Sequence, residues 1–279
     1  MSPFKAACIQ VTAGNNLMAN CEAAAAQAVE ARAAGADLVL MPENVAMMES
    51  GRTALVLNAE PEPENRALAF FCHLAREIDV WLHIGSLHVL LDDGMIANRS
   101  YVIDPSGAVR ASYDKIHMFD VDLGLGESYR ESSTFAPGDR AVAVDLPWGR
   151  LGLSVCYDLR FPHLFRTLAQ AGCLFLAVPA AFTRTTGKAH WHVLLRARAI
   201  ETGCYVFAPA QCGDHSPRRQ TYGHALIVSP WGEILADALE RPGWVMAEID
   251  PLKVLEARRK VPSLDHDRAF ALPEPPVEG

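Results

Sequence analysis

Cys156 is the side chain whose local sequence most favours nucleophilic chemistry. It ends the apolar, strand-like run 151–155 and is followed by the polar Asp158 and Arg160 and then by Pro162, which predict a turn into a helix. A thiol at such a turn can lie near helix N-terminal amides, which stabilise a thiolate and can donate to an oxyanion. We therefore predict a nucleophile elbow at Cys156. The alternative is an inert core thiol, the usual state of a buried cysteine.

A catalytic thiol needs a base, because a free cysteine with a pKa of about 8.5 is mostly protonated at neutral pH. Glu43 follows the apolar run 37–42, so its carboxylate is expected at the end of a buried strand, where desolvation would raise its pKa toward that of a general base. A capping or ion-paired Glu43 is the alternative. Five histidines are also candidates, and none is marked as a base by its local sequence: His117, His190, His192, His215 and His224.

Lys115 follows a strand-like run, whereas lysines in proteins mostly lie on solvated helix faces. In a site, its ammonium could stabilise a developing oxyanion, where one good donor contributes about 3 to 4 kcal/mol. A solvated lysine at a strand end is the alternative. Local sequence thus supplies a cysteine, a glutamate and a lysine, but it does not bring them together in space.

The elements that must position these residues alternate between strand and helix, which predicts an α/β fold. Strands are predicted at residues 4–11, 37–42, 81–87, 99–103, 151–155 and 173–178. Helices are predicted at residues 16–33, 65–78 and 163–171.

The two halves of the chain repeat one pattern. A helix, Gly35 and an apolar run ending at Pro42 are echoed by a helix, Gly172 and an apolar run ending at Pro179. Residues 100–107 likewise resemble residues 225–232. We interpret this as a weak internal duplication within a single domain, residues 1–279, in which two related sheets are covered by helices. The proline-rich residues 262–279 are predicted to form an extended C-terminal tail.

Composition excludes several classes of function. The 25 basic and 33 acidic residues give a net charge of −8, which argues against a nucleic-acid or anionic-membrane partner. The longest apolar stretch, residues 172–182, is too short for a bilayer span of about 20 residues. With no secretory-signal pattern and seven scattered cysteines, we expect a cytoplasmic protein with reduced thiols and neither a disulfide framework nor a metal site.

Three segments resemble the signatures of the nitrilase superfamily of carbon–nitrogen hydrolases. They read LMPEN at residues 40–44, YDKIH at 113–117 and GLSVCYDLRFP at 152–162. The resemblance implies a four-layer αββα sandwich with two internally related mixed sheets, no cofactor, and thioester chemistry. It assigns Glu43 as general base, Cys156 as nucleophile, and Lys115 with the following amide as oxyanion donors. Glu131, in ESSTFAPGD at residues 131–139, matches a second glutamate that positions substrate or lysine.

Residues 187–201, with QCG at 211–213 and YGH at 222–224, are most similar to the branch containing deaminated glutathione amidase and ω-amidase. That branch hydrolyses amides of small carboxylic acids, although it usually carries glutamate at the position of His192. A carboxylate needs a cation, and Arg160 is our first choice because a guanidinium binds it bidentately; a structural pairing with Asp158 or another acid is the alternative.

Other residues are assigned by position alone. Tyr157 is expected to line the substrate pocket, together with Thr185 and Thr186 in the loop before the His190 helix, although ordinary loop threonines are the alternative. Arg196 and Arg198 lie two apart on a helix and point to different faces, which favours structural roles.

We therefore predict a thiol-dependent amidase that acts on a small carboxylate-bearing amide and releases ammonia. Hydrolysis of N-carbamoyl amino acids or of nitriles by the same three residues is an alternative, and a non-catalytic interaction scaffold is an alternative of another class. The resemblance also implies a homodimer or higher homo-oligomer.

Overall fold

Two β-sheets pack face to face between two outer layers of helices. The computed structural model describes residues 2–49, 51–124, 127–216, 219–271 and 273. Within them the helices are α1 Leu17–Ala33, α2 Arg52–Asn58, α3 Arg66–Glu77, α4 Pro162–Gln170, α5 Arg184–Thr202 and α6 Leu252–Lys260, with short 3-10 turns at Glu62–Glu64, Glu131–Ser133 and Cys156–Arg160. The predicted four-layer αββα sandwich is confirmed.

The first sheet has the strand order β14-β13-β1-β2-β3-β4-β5, with β17 also paired to β1 and β8 to β4. Its strands are β1 Phe4–Val11, β2 Leu38–Leu40, β3 Trp81–Leu90, β4 Ile96–Ile103, β5 Val109–Asp114, β8 Phe135–Ala136, β13 Ala210–Ser216, β14 Arg219–Tyr222 and β17 Gly243–Ile249. Strand β1 runs parallel to β2 and β13 and antiparallel to β17, so this sheet is mixed.

The second sheet has the order β16-β15-β12-β11-β10-β9. Its strands are β9 Ala143–Leu146, β10 Gly149–Leu153, β11 Cys173–Ala177, β12 Tyr205–Ala208, β15 Leu226–Val228 and β16 Ile234–Asp237. Strands β6 Asp120–Gly124 and β7 Glu127–Arg130 form a separate antiparallel pair. Parallel pairing of β10, β11 and β12 within an otherwise antiparallel arrangement makes this sheet mixed as well.

Strand β1 illustrates how period-two alternation builds the layers, because it has apolar residues on both faces. Ala7, Ile9 and Val11 pack with α1 and α3 in one core. Phe4, Ala6 and Cys8 pack in a second core with residues of β10 to β12, and this core extends to α4 and α5. The first sheet is therefore covered outside by α1 and α3, and the second by α4 and α5.

Helix starts follow the capping side chains. Asn16, which the sequence placed inside α1, is instead its N-cap and accepts a hydrogen bond of 3.1 Å from the N–H of Ala19. Asn65 caps α3 in the same way, accepting 2.9 Å from Leu68. Each side-chain oxygen satisfies a backbone donor that the helix itself cannot pair.

The two echoing segments form equivalent parts of the two sheets. Gly35 and Gly172 turn the chain out of α1 and α4 at positive φ, 98° and 89°, before β2 and β11. The two strand ends then meet, because the N–H of Ala181 beyond β11 donates 2.8 Å to Glu43 beyond β2. The carboxyl ends of β2 and β11 thereby form one site.

The first part of the predicted tail has no regular helix or strand but packs on α4. Arg166 donates to the carbonyl of Ser263 at 2.9 Å and forms an ion pair with Asp267. Residues 272 and 274–279 of the predicted tail lie outside the described residues. Among the described residues, no helix combines the length and apolar character that crossing a membrane requires.

Candidate active site

Cys156 lies on a strained turn directly after β10. Its φ is +50°, a left-handed conformation that residues other than glycine rarely adopt, and its N–H donates 2.9 Å to the carbonyl of Pro179. A 3-10 turn over Cys156–Arg160 follows, and Pro162 then opens α4. The predicted turn between a strand and a helix is confirmed, although one 3-10 turn separates the thiol from the helix.

Glu43 lies beside this thiol, buried at 3% exposure. Its Oε2 accepts the N–H of Ala181 at 2.8 Å, and its Oε1 accepts from Lys115 Nζ at 3.1 Å. The Cys156 thiol is a further close neighbour of this carboxylate. Glu43, which follows a strand of the first sheet, thus lies beside both the Cys156 thiol, which follows a strand of the second sheet, and the buried lysine.

Lys115 is held between two carboxylates. Its Nζ lies 2.8 Å from each carboxylate oxygen of Glu131 and 3.1 Å from Glu43, and Lys115 is 2% exposed. Glu131 is fixed in turn by the N–H of Phe119, at 2.6 Å. Of the two roles implied for Glu131, this geometry supports contact with the lysine.

The pKa of Glu43 differs in sign from the prediction. Burial alone raises it, but the Lys115 ammonium and the hydrogen bonds from Cys156 and Ala181 outweigh burial and hold it below its usual value. The pKa of Lys115 is raised, because its two carboxylate neighbours outweigh burial. Burial and the Glu43 charge raise the pKa of Cys156 well above its usual value. The resting group is therefore a thiol, a carboxylate and an ammonium, and the expectation of a raised Glu43 pKa was wrong.

Asn98, on β4, belongs to this group although no motif marked it. Its Nδ2 donates to Glu43 Oε1 at 3.0 Å and to Glu131 Oε1 at 3.4 Å. The backbone carbonyl of the same residue accepts the N–H of Lys115 at 3.0 Å. The sequence offered little signal, because Asn98 directly precedes the predicted strand 99–103, and that strand also carries the polar residues Arg99 and Ser100.

Asp158 is a second residue that sequence reasoning did not assign. Its carboxylate is fully buried and accepts from the Tyr113 hydroxyl at 2.7 Å and from the N–H of Val155 at 2.8 Å. It also accepts from His117, through the backbone N–H at 3.1 Å and Nδ1 at 2.6 Å. One acid therefore joins the Cys156 turn to the segment that carries Lys115.

The five candidate histidines have other partners. His117 forms a hydrogen bond with Asp158, His190 contacts Arg160, and His215 forms hydrogen bonds with the Ala13 carbonyl and Thr221. His192 and His224 both contact Asp237. In the described part of the chain, none of the five is a hydrogen-bond partner of Cys156.

Arg160 is half-buried at the end of the 3-10 turn. Its guanidinium lies over the rings of Phe182, at 5.3 Å, and Tyr157, at 5.9 Å, and its Nη2 is 3.3 Å from His190 Nδ1. The alternative pairing with Asp158 is absent, since Asp158 is occupied by Tyr113 and His117. No carboxylate among the described residues lies within ion-pair distance of Arg160, so its charge is available for an anionic ligand.

Thr185 and Thr186 lie in the first turn of α5 and not in a loop, which corrects the prediction. Thr183 is the N-cap, and its Oγ1 accepts the N–H of Thr186 at 3.3 Å. Thr186 is buried against Thr183, whereas the exposed Thr185 donates 3.0 Å to Glu127 of β7. Their observed contacts are a helix cap and a link to the β6–β7 pair.

Arg196 and Arg198 have the structural contacts expected of them. Arg196 donates 2.8 Å to the carbonyl of Gly232, and the buried Arg198 donates 3.0 Å to the carbonyl of Leu159. The second bond braces the turn that carries Cys156 from the side of α5.

Comparison with known proteins relates this geometry to a family. The carbon–nitrogen hydrolase family matches residues 5–259. A deaminated glutathione amidase of Synechocystis sp. is 43% identical over 95% of this chain and 98% of its own length. The crystal structure of the C. elegans NitFhit protein superposes with a TM-score of 0.90 at 36% identity, over 96% of this chain and 66% of that one. Saccharomyces cerevisiae Nit3, a member of branch 10 of the nitrilase superfamily, gives 0.84 at 28% identity, over 93% and 94%.

Proposed function

The chain belongs to the carbon–nitrogen hydrolase family, and we propose that it hydrolyses the amide of a small carboxylate-bearing substrate through a thioester on Cys156. The observation that carries the proposal is the buried pair of the Glu43 carboxylate and the Lys115 ammonium, 3.1 Å apart, beside the Cys156 thiol. The proposal treats residues 1–279 as one domain.

In the first half-reaction, Glu43 takes the thiol proton as the sulfur attacks the amide carbon. The carbonyl π electrons move to oxygen, and Lys115 Nζ with the N–H of Tyr157 stabilises that oxyanion. Glu43 then gives its proton to the amide nitrogen as the C–N bond breaks. Ammonia leaves, and the acyl group remains bonded to the sulfur.

In the second half-reaction, Glu43 takes a proton from water, which attacks the thioester carbon. The oxyanion forms at the same donors, and its collapse breaks the C–S bond. The sulfur recovers a proton from Glu43, which regenerates the thiol and the carboxylate. The lowered pKa of Glu43 supports this cycle, because the base is ionised before each half-reaction begins.

Glu131 and Asn98 act in this scheme as positioning residues. The two carboxylate oxygens of Glu131 fix Lys115 Nζ at 2.8 Å each. Since a donor is effective only where the oxyanion forms, an ammonium held from two sides is preorganised for that position. No step requires a cofactor or metal.

Arg160 is proposed to bind the substrate carboxylate, with Tyr157 beside it. The guanidinium has aromatic rings beneath it and no acid within ion-pair distance in the described part of the chain. The relative from Synechocystis is named deaminated glutathione amidase, and we propose a substrate of that kind or the ω-amide of a keto acid. Thr185 and Thr186 are proposed to shape the same end of the pocket, at the start of α5.

The first experiment measures ammonia release from deaminated glutathione, α-ketoglutaramate, an N-carbamoyl amino acid and a nitrile. We expect turnover of the first two, with none for Cys156→Ala or Lys115→Ala in folded protein and normal turnover for Cys72→Ala, a half-buried cysteine on α3. Activity in Cys156→Ala would contradict the mechanism. Preference for the carbamoyl compound or the nitrile would show that the substrate is of that class and not a carboxylate-bearing amide. No turnover of any of the four compounds would favour a non-catalytic scaffold.

The second experiment tests Arg160. Arg160→Lys keeps the charge but loses the bidentate geometry, whereas Arg160→Met removes both. We expect the KM for a carboxylate-bearing amide to rise more in the Arg160→Met variant than in the Arg160→Lys variant. The KM for the corresponding neutral, ester-capped amide should change little in either variant. Equal changes in KM for both substrates would show that Arg160 does not bind the substrate carboxylate. Homo-oligomerisation, which the resemblance implies, is checked by light scattering on the same samples.

A further inference from the structure

Two histidines and an aspartate converge at a place that the proposed reaction does not use. His192 lies on α5, His224 lies between β14 and β15, and Asp237 ends β16. His192 Nε2 is 3.3 Å from Asp237 Oδ2, and His224 Nδ1 is 3.0 Å from Oδ1 and 3.1 Å from Oδ2. We call these three residues the His192 cluster.

The spacing of the donor atoms fits a metal ion. One ligand atom from each residue lies within 4.8 Å of the other two, and the imidazole–carboxylate distances are 3.0 to 3.3 Å. Ligand atoms at about 2.0 to 2.1 Å from a tetrahedral zinc ion are separated by roughly 3.4 Å. Small side-chain rotations are therefore sufficient to admit an ion between them.

Neighbouring residues hold the side chains of the His192 cluster in their observed orientations. The N–H of Leu239 donates 2.8 Å to Asp237 Oδ1, and the ring of Tyr222 stacks on that of His224 with centroids 4.4 Å apart. The backbone of His224 has a φ of +56°, and its carbonyl accepts Trp191 Nε1 at 2.8 Å. Support of this kind orients ligands and is typical of metal sites.

Access is also suitable. The side chains of His192, Asp237 and His224 are 28%, 23% and 14% exposed, so an ion can enter and water can complete its coordination.

We propose that His192, His224 and Asp237 bind one divalent transition-metal ion of the zinc class, at a site distinct from the Cys156 group. Two imidazoles and one carboxylate favour Zn²⁺, Co²⁺ or Ni²⁺, whereas Mg²⁺ and Ca²⁺ prefer oxygen ligands. Because the ligands come from α5, the β14–β15 connection and β16, a bound ion links a helix of the outer layer to the edge of the second sheet. The expected consequence is higher thermal stability and not a new reaction step.

The test is titration of chelator-treated full-length protein with Zn²⁺ by calorimetry and with Co²⁺ by absorption spectroscopy. We expect one saturable Zn²⁺ site, unaffected by excess Mg²⁺, and a raised Tm with Zn²⁺. His224→Asn, His192→Asn and Asp237→Asn should each weaken binding at least 100-fold. The matched control is His73→Ala, because His73 and Glu77 on α3 form an exposed pair 3.5 Å apart that lacks a third ligand.

Co²⁺ distinguishes this site from the cysteines, because thiolate ligands add an intense near-ultraviolet charge-transfer band. A weak visible spectrum without that band, lost in His224→Asn, supports the proposal. Circular dichroism of the variants establishes that they are folded. The proposal is overturned if the wild type has no saturable site, if all three Asn variants bind as the wild type does, or if the signal depends on a cysteine.

Discussion

The Tyr113 hydroxyl donates a 2.7 Å hydrogen bond to Oδ2 of Asp158, and both side chains are at most 1% exposed. Tyr113 lies two residues before Lys115, and Asp158 lies two residues after Cys156. This bond therefore couples the segment that carries the ammonium to the turn that carries the thiol. The pKa of Tyr113 is raised by burial and by the neighbouring Asp158 charge, so the hydroxyl stays protonated and remains a donor.

Removing either partner should loosen the site and the fold together. Tyr113→Phe should lower the free energy of unfolding by about 1.5 to 3 kcal/mol, the range for a hydrogen bond to a charged group. Asp158→Asn should cost more, because the acid also accepts from Val155 and His117. Urea denaturation of both single variants and the double variant measures the coupling. Simple additivity would contradict a direct Tyr113–Asp158 interaction.

Asn98→Ala should lower kcat more than it changes KM, because Nδ2 holds Glu43 and Glu131 and has no proposed contact with substrate. We expect roughly a tenfold loss, corresponding to a net hydrogen bond of about 1.4 kcal/mol. The matched control is Ser100→Ala on the same strand, since Ser100 bonds to His83 and the Ile84 carbonyl. Equal kinetic losses in both variants would refute a specific positioning role for Asn98.

Gly85→Ala should displace the end of β2 and with it Glu43. A Cβ at Gly85 would lie 2.1 Å from the Met41 carbonyl oxygen and 2.4 Å from the Pro42 carbonyl carbon, so backbone must shift. We expect lower kcat and a lower Tm. Gly14→Ala is the control, because a Cβ there meets nothing within 4 Å. Comparable behaviour of the two variants in activity and thermal unfolding would show that β2 tolerates the displacement.

Buried thiols should make the protein unstable in alkali. Burial first, and the Glu22 charge second, raise the pKa of Cys21 from 9.0 to about 12. Above pH 9 the unfolded chain loses this proton while the folded chain keeps it, so the free energy of unfolding falls as pH rises.

Cys21→Ala removes this one contribution. Relative to Cys21→Ala, the free energy of unfolding of the wild type should therefore fall by about 1.4 kcal/mol per pH unit above pH 9. Urea denaturation between pH 7.5 and 10.5 measures it. A difference that stays constant across that range would show that the Cys21 pKa is unshifted.

Features that depend on neighbours along the chain were predictable. Strand β1 was predicted at residues 4–11 and observed at Phe4–Val11, because its apolar pattern is local. The turn at Cys156 was predictable for the same reason, since an apolar run followed by Asp158 and Pro162 marks the end of a strand. The three motifs supplied the family, and with it the sandwich.

The loop predicted before the His190 helix is the first turn of α5, and Gly187, a residue type that disfavours a helix in isolation, lies inside that helix. In the structure that glycine is required, since a Cβ there would lie 2.3 Å from the Cβ of Tyr222. Thr183 is the N-cap of α5, which places Thr185 and Thr186 in the first turn of that helix. Packing across the molecule, which is invisible to a local pattern, overrode the propensity.

The sequence by itself, through the family motifs, singled out the three residues that we propose as catalytic: Glu43, Lys115 and Cys156. Only the tertiary structure decided their protonation. The local sequence indicated that Glu43 is buried, which by itself raises the pKa of its carboxyl group. The Lys115 ammonium that reverses this shift lies 72 positions away in the sequence but only 3.1 Å from Glu43 Oε1. Electrostatic interaction depends on separation in space, so the charge state of a buried site is settled only when the fold brings its members together.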